Sequence, residues 1–263
     1  MVRSIPFVQV DAFADAPFTG NPAAVLTLDH WLEDDVLQAI AAENNLAETA
    51  FSVPLPEGDT ADYALRWFTP TVEVALCGHA TLATGHVLLG EREMVRFRTQ
   101  RAGDLIVTRA GDVLALDLPS WAPSPKPLPE MARHMGGPVL ETYWQEGGYA
   151  VFVYPDEQTV RALTPNFAAM RPSSEILFIA TATGAQTDIV SRVFAPGAGV
   201  DEDPVTGAAH CIITSYWAER LGQTDFSAYQ ASKRGGRLHC ALRGDRVVLT
   251  GACRTVIRGA FLL

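Results

Sequence analysis

Glu48 stands among small and apolar neighbours in Asn45-Leu46-Ala47-Glu48-Thr49-Ala50-Phe51, where a helical pattern gives way to a strand pattern. A carboxylate partly buried at such a junction has its charged form disfavoured and its pKa raised, which suits proton transfer near neutral pH. Two further segments, Cys77-Gly78-His79-Ala80-Thr81 and Asp203-Pro204-Val205-Thr206-Gly207-Ala208-Ala209, put small residues where helices begin. The first N–H groups of a helix lack internal partners and favour anions, and glycine lets a ligand approach the backbone. Two such starts suit a carboxylate ligand. His79 can donate to that ligand or pass a proton, and Asp203 ends the acidic run Asp201-Glu202-Asp203, which reads as a helix-start run. Cys77, just before a helix start, is where a thiol pKa falls, so it is an alternative base. Taken singly, each has a structural alternative: a solvated or capping carboxylate for Glu48, a satisfied imidazole for His79, turn and cap residues for the glycines.

Other chemistries find no support. The chain has no G-x-x-x-x-G-K-[ST], no strand-placed G-x-G-x-x-G and no G-x-S-x-G. Cys77, His79 and His86 match no zinc spacing and lack a fourth ligand, so no metal and no cofactor is expected. Cys211, inside a helical stretch, reads as a small buried hydrophobe.

Composition sets the setting. The 263 residues are 48% hydrophobic and 19% charged, ordinary globular values for one large or two small domains. With 20 basic against 30 acidic residues the formal net charge is −10, which argues against nucleic acid and anionic membranes as partners. No run reaches the 18 or more apolar residues of a membrane span, and the N-terminal segment lacks a signal core. The four cysteines have irregular spacing and read as reduced thiols of a cytoplasmic protein.

The elements that must hold these residues alternate between strand and helix. Strand patterns cover Val8–Phe13, Ala23–Leu26, Glu48–Val53 and Tyr63–Phe68, with a helix over Leu32–Asn45 and a second after Gly78. Strands follow at Val95–Thr99, Leu105–Arg109 and Val113–Leu118. Five prolines between Pro119 and Pro129 read as a linker without regular pairing, dividing an N-terminal half, 1–120, from a C-terminal half, 121–263. The second half predicts strands at Tyr149–Tyr154, Glu175–Thr181 and Asp188–Phe194, a helix over Thr159–Met170, and one from Gly207 or Ala208 to Leu221. Strands at Ala228–Ser232, Arg237–Arg243, Val247–Thr250 and Val256–Phe261 close the chain. Arg66-Trp67-Phe68-Thr69-Pro70 overlays Arg192-Val193-Phe194-Ala195-Pro196 at an offset of 126, which suggests duplication and sets Cys77 opposite Asp203, give or take loop length. Two related halves facing one another would share a cleft between the helix starts.

Four motifs in order carry a resemblance: Gly20-Asn21-Pro22-Ala23-Ala24-Val25, the Asn45–Phe51 segment, Cys77-Gly78-His79-Ala80-Thr81-Leu82-Ala83 and Glu202-Asp203-Pro204-Val205-Thr206-Gly207. Together they resemble the phenazine-biosynthesis PhzF-like family, over essentially the whole chain. The resemblance implies an α+β fold like that of diaminopimelate epimerase: two pseudo-symmetric halves, each a curled, mostly antiparallel sheet around a central helix. It implies cofactor-independent isomerisation of a small carboxylate-bearing, amino- or hydroxy-bearing metabolite, in a homodimer. In phenazine-pathway members a glutamate moves a proton between carbons of dihydro-3-hydroxyanthranilate, and Glu48 matches that position. His79 and Asp203 match the other catalytic positions, and Asn21, Cys77, Gly78, Thr206, Gly207 and Ala208 the substrate-binding ones. Members often carry Ser where Ala208 stands, and epimerase relatives carry a catalytic thiol where Cys77 stands. The alternatives are therefore a racemase or epimerase using Cys77 as base, and a non-catalytic carboxylate-binding protein.

Overall fold

The computed structural model describes residues 3–173 and 176–263. In chain order the elements are β1 (Ser4–Ala12), β2 (Asn21–Thr27), α1 (Asp34–Asn44), β3 (Glu48–Pro54), β4 (Tyr63–Phe68), β5 (Glu73–Val74), α2 (Gly78–Leu88), β6 (Met94–Thr99), β7 (Asp104–Ala110) and β8 (Val113–Pro119). There follow β9 (Ser124–Pro125), α3 (Pro129–Met135), β10 (Glu141–Gln145), β11 (Tyr149–Val153), α4 (Glu157–Ala162), α5 (Phe167–Met170), β12 (Leu177–Thr183), β13 (Ile189–Ala195) and β14 (Val200–Asp203). The chain ends with α6 (Gly207–Leu221), β15 (Asp225–Gln230), β16 (Gly236–Arg243), β17 (Arg246–Gly251) and β18 (Cys253–Leu262). Two compact units result, 1–117 with 250–263, and 118–249.

The fold is α+β, and each unit repeats one topology. In the first, β2 and β3 run parallel, joined through α1; β3 pairs antiparallel with β4, β4 with β5, and β4 runs parallel to β6 across α2. In the second, β11 and β12 run parallel across α4 and α5, β12 pairs antiparallel with β13, β13 with β14, and β13 runs parallel to β15 across α6. The remaining described pairings of each unit are antiparallel.

Each sheet curls around one helix because that helix has no polar face. Every residue from Gly78 to Gly85 is buried, and α2 packs on β1, β2, β3 and β7. Gly85 has no room for a Cβ, which would sit among the Val107 side-chain atoms of β7. The helix thus approaches the sheet as closely as backbone allows. In α6 the run Ala209–Trp217 is buried, and Gly222 ends the helix in the left-handed conformation that favours glycine.

The same arginine latch recurs in both units. Arg66 on β4 binds Glu73 of β5 through Nε and Nη2 at 2.7 and 2.8 Å, while Nη1 reaches Asp34 at the start of α1. Arg192 on β13 binds Glu202 of β14 at 2.7 and 3.1 Å, while Nη1 donates to the carbonyl oxygens of Arg161 and Leu163 at the end of α4. Each guanidinium lies over the phenylalanine two residues on, Phe68 at 5.1 Å and Phe194 at 5.0 Å. One arginine therefore ties a strand, a crossover helix and the short strand before the central helix.

Several sequence expectations need correction. The helix expected over Thr159–Met170 is two, because Leu163-Thr164-Pro165-Asn166 interrupts it: Pro165 disfavours a helical residue before it, and Asn166 caps α5 through its side chain. The proline-rich segment does pair, since Ser124 and Pro125 oppose Trp144 and Tyr143 at the margin of the sheet; Pro129 then opens α3. The acidic run is strand β14, not a helix start. Residues 250–263 belong with the first unit, where β18 pairs with β1 over its whole length. The strand start expected at Glu175 lies outside the described residues.

Removing Arg66 leaves the half-buried Glu73 without its counter-charge. We expect Arg66→Ala to lower the unfolding free energy by about 3 kcal/mol in urea denaturation, the range for breaking a buried pair from one side. Arg66→Lys should recover little, since an ammonium cannot reproduce the bidentate fork.

Candidate active site

Sheet register gathers the first cluster. Asn45 closes α1 in the left-handed conformation, φ 48°, so the chain turns into β3 with Glu48 as its first residue. In the parallel β2–β3 ladder Glu48 pairs with Ala23, two residues from Asn21 at the head of β2. Parallel strands start at the same end of a sheet. There, too, α2 begins, with Cys77 as its N-cap residue and Gly78 and His79 in its first turn.

His79, 3% exposed, is the centre of this cluster. Its Nε2 lies 3.1 Å from Glu48 Oε2, with an angle short of good hydrogen-bond alignment. Catalytic contacts are often loose until a ligand is bound. On the other side Nδ1 is 3.2 Å from Asn21 Nδ2 and 3.5 Å from Cys77 Sγ. The Asn21 amide suits either state of the ring: its NH2 donates to neutral Nδ1, and turned over its oxygen accepts from imidazolium. Glu48 is the accessible member, with 18% of its side chain exposed while Oε2 is covered.

The electrostatics separate the candidates. Burial, and then the charge of Glu48, push the Cys77 thiol up, against the weaker pull of His79. The lowering expected of a thiol at a helix start is reversed, because a fully enclosed sulfur loses more from desolvation than it gains from first-turn N–H groups. Burial alone would lower His79, but the negative charge of its neighbours outweighs it and raises the imidazole. Cys77 and then Glu48 are the neighbours that raise it. Glu48, Cys77 and His79 have donor atoms within 4.8 Å of one another, close enough for a metal ion.

The second unit assembles Asp203, Thr206, Gly207 and Ala208 on the approach to α6. Thr206 is the N-cap residue, and its hydroxyl donates a hydrogen bond to Asp203 Oδ2. Its carbonyl accepts from His210 Nδ1 at 2.8 Å, and His210 Nε2 faces Ser191 Oγ at 3.4 Å. A carbonyl only accepts, so Nδ1 carries the proton and Nε2 receives from Ser191. Burial holds this imidazole down at about 4. Gly207 is buried and Ala208 half-exposed, so of the two Ala208 is the side chain this first turn presents.

The two helix starts correspond at an offset of 129, not 126: Gly78 matches Gly207, and the latched Glu73 matches Glu202. Phe68 to Glu73 is five positions and Phe194 to Glu202 is eight, and this longer stretch, which includes a 3-10 turn at Pro196–Ala198, accounts for the slip. Cys77 is therefore the counterpart of Thr206, and Asp203 has moved off that position. Asn21, expected to bind substrate, is 0% exposed and contacts His79 on the side away from Glu48. Sequence reasoning missed Gln230 and Ser191, both buried polar side chains bonded within the second cluster. Buried glutamine among apolar strand residues was the available signal.

The phenazine biosynthesis-like protein family model matches residues 10–259. An uncharacterized isomerase of Pseudomonas aeruginosa is 49% identical over 97% of this chain and 98% of its own length. A phenazine biosynthesis-like domain-containing protein of Homo sapiens is 37% identical over 97% and 98%. The crystal structure of a PhzF-family protein from Enterococcus faecalis superposes with a TM-score of 0.91 at 44% identity, covering 99% of this chain and all (100%) of that one. A hydroxyproline epimerase from Agrobacterium vitis, 12% identical with a TM-score of 0.69, shares the fold over 99% of this chain and 93% of its own. No helix among the described residues is long and apolar enough to cross a membrane.

His210 makes a pH prediction whose sign is fixed. Its folded pKa of about 4 lies below the ordinary value of 6.5, so the unfolded chain binds the extra proton between these values. Its contribution is complete above pH 6.5 and is lost as pH falls toward 4, by about 3 kcal/mol. Chemical denaturation of the wild type and of His210→Gln across that window should show the smaller pH slope in the variant.

Proposed function

The chain belongs to the phenazine biosynthesis-like family, whose curated relatives include isomerases, and from that premise we propose that it isomerises a small carboxylate-bearing metabolite by moving a proton with Glu48, without a cofactor. The observation that carries the reading is the 3.1 Å approach of Glu48 Oε2 to buried His79 Nε2, with the rest of the carboxylate open to a ligand. Glu48 takes a proton from one substrate carbon and returns it to another. His79 steadies the anionic form of Glu48 and, through Asn21, tolerates either protonation state. In the first unit the first-turn N–H at Gly78 suits a carboxylate, and in the second unit Gly207 offers the same kind of donor. Asp203 of the second unit, its Oδ2 engaged by Thr206, is an oriented acceptor for an amino or hydroxyl group.

The enclosed, protonated thiol weighs against Cys77 as the base. Ala208 lacks a hydroxyl at the half-exposed first-turn position, which favours a substrate with one polar group fewer than the phenazine-pathway compound.

The test is deuterium incorporation from D2O, followed by NMR, into a panel of amino and hydroxy acids that includes dihydro-3-hydroxyanthranilate. Glu48→Gln should lower exchange about 10³-fold, the scale of general acid–base catalysis, while Cys77→Ala should leave most of it. Undiminished exchange in Glu48→Gln, or its loss in Cys77→Ala alone, would overturn the assignment. We also propose a homodimer, supported by the exposed Val256 and Ile257 of β18. Sedimentation equilibrium should give twice the 28.4 kDa chain mass, and a monomer mass would refute it.

A further inference from the structure

The turn from β14 into α6 carries Asp203, Thr206 and Gly207, and a single side chain from β15 spans it. Gln230 is 0% exposed. Its Oε1 accepts from the Thr206 backbone N–H at 2.8 Å, and its Nε2 donates to the Asp203 carbonyl oxygen at 2.6 Å. The same Nε2 lies 3.3 Å from Thr206 Oγ1. Only one amide orientation works here. Turned over, it would set NH2 against N–H and oxygen against carbonyl.

That orientation has a consequence for Asp203. Because Nε2 donates to Thr206 Oγ1, the hydroxyl proton is directed away from Gln230 and onto Asp203 Oδ2. We propose that Gln230 is a positioning residue: it sets the direction of the Thr206 hydroxyl and thereby holds the Asp203 carboxylate as an oriented acceptor. It also satisfies a buried first-turn N–H that would otherwise be costly. Its place is secured by sheet register, since Gln230 ends β15 opposite Ser191 of β13, the residue that faces His210. The proposal rests on the reading of Asp203 as a site residue only for its catalytic meaning; the hydrogen-bond direction stands by itself.

The variants are Gln230→Glu, which keeps shape but replaces the donor with an anion, and Gln230→Met, which keeps volume and removes both functions. Ser232→Ala is the control: Ser232 Oγ donates to the Pro204 carbonyl at 2.8 Å in the same turn and accepts from the Gly235 N–H at 3.0 Å. The readouts are the ¹³C titration of the Asp203 carboxyl and amide hydrogen exchange at Thr206, neither of which needs turnover. In Gln230→Glu and Gln230→Met the Asp203 midpoint should rise, on the order of one unit, as its hydroxyl donor is lost. Thr206 exchange should rise about tenfold or more in Gln230→Met. In Gln230→Glu, whose carboxylate oxygen still accepts from the Thr206 N–H, that exchange should stay near wild type. Unchanged Asp203 titration in both variants, or an equal shift in Ser232→Ala, would overturn the proposal. If the isomerase reading fails, these NMR results stand; if exchange chemistry is found, Gln230→Met should lower kcat more than it raises KM.

Discussion

A helix enclosed by its own sheet leaves its first-turn N–H groups and cap side chains nowhere to meet bulk water. This constraint organises both units. In the first, Cys77, Gly78 and His79 begin α2 while buried, and in the second Thr206 and Gly207 begin α6 in the same condition. Buried polar groups must be bonded or they cost on the order of 1–3 kcal/mol each. The sheet supplies partners from the strand ends that lie nearest: Asn21 and Glu48 from β2 and β3, Gln230 and Ser191 from β15 and β13. A polar cluster at the head of a central helix is thus what the architecture requires.

The latches serve the same constraint one step earlier in the chain. Arg66 with Glu73 and Arg192 with Glu202 fix the short strands that deliver the chain to each helix start. The i+4 residue then answers the cap carbonyl in both, Thr81 Oγ1 donating to Cys77 at 2.6 Å and His210 Nδ1 to Thr206 at 2.8 Å. The side chains differ while the bond is the same. Its repetition at an offset of 129, alongside the arginines at 126, is physical support for duplication that residue identity alone does not provide.

Much of this was legible from residue order. Period-2 and period-3.6 patterns placed β4, α2 and α6 because each has enough apolar positions for its period to show, and Gly222 marked the helix end. Short elements escaped: β5, β9 and β14 each span four residues or fewer, too few for a pattern to declare itself. The acidic run misled for an understandable reason, since carboxylates before a helix are favourable by charge alone, and only the fork of Arg192 shows why Glu202 is in a strand. Of the site, the motifs supplied Glu48, His79, Asp203 and Thr206. The partners that orient them come from strands distant in sequence, and a motif does not tell which side of an imidazole a neighbour such as Asn21 occupies. The Cys77 thiol was misjudged because helix position is visible in sequence and enclosure is not.

The duplicated scaffold also shows where the two halves have diverged. Laid on one another by their helix starts, His79 corresponds to Ala208, and by strand register Glu48, which heads β3, corresponds to Leu177, which heads β12. The latch, the cap carbonyl bond and the central helix are common to both, so the scaffold tolerates either set of side chains. Yet the imidazole–carboxylate pair exists in one unit, and the other holds a carboxylate tied to a hydroxyl. An alanine methyl and a leucine side chain cannot exchange protons, so the second unit does not repeat this pair at the corresponding positions. The two helix heads therefore carry different chemistry, an imidazole beside a carboxylate in the first unit and a hydroxyl-bound carboxylate in the second. Cys77 and Thr206, the cap residues that do correspond, fit this division as well: one is an enclosed thiol behind His79, the other a hydroxyl aimed at Asp203.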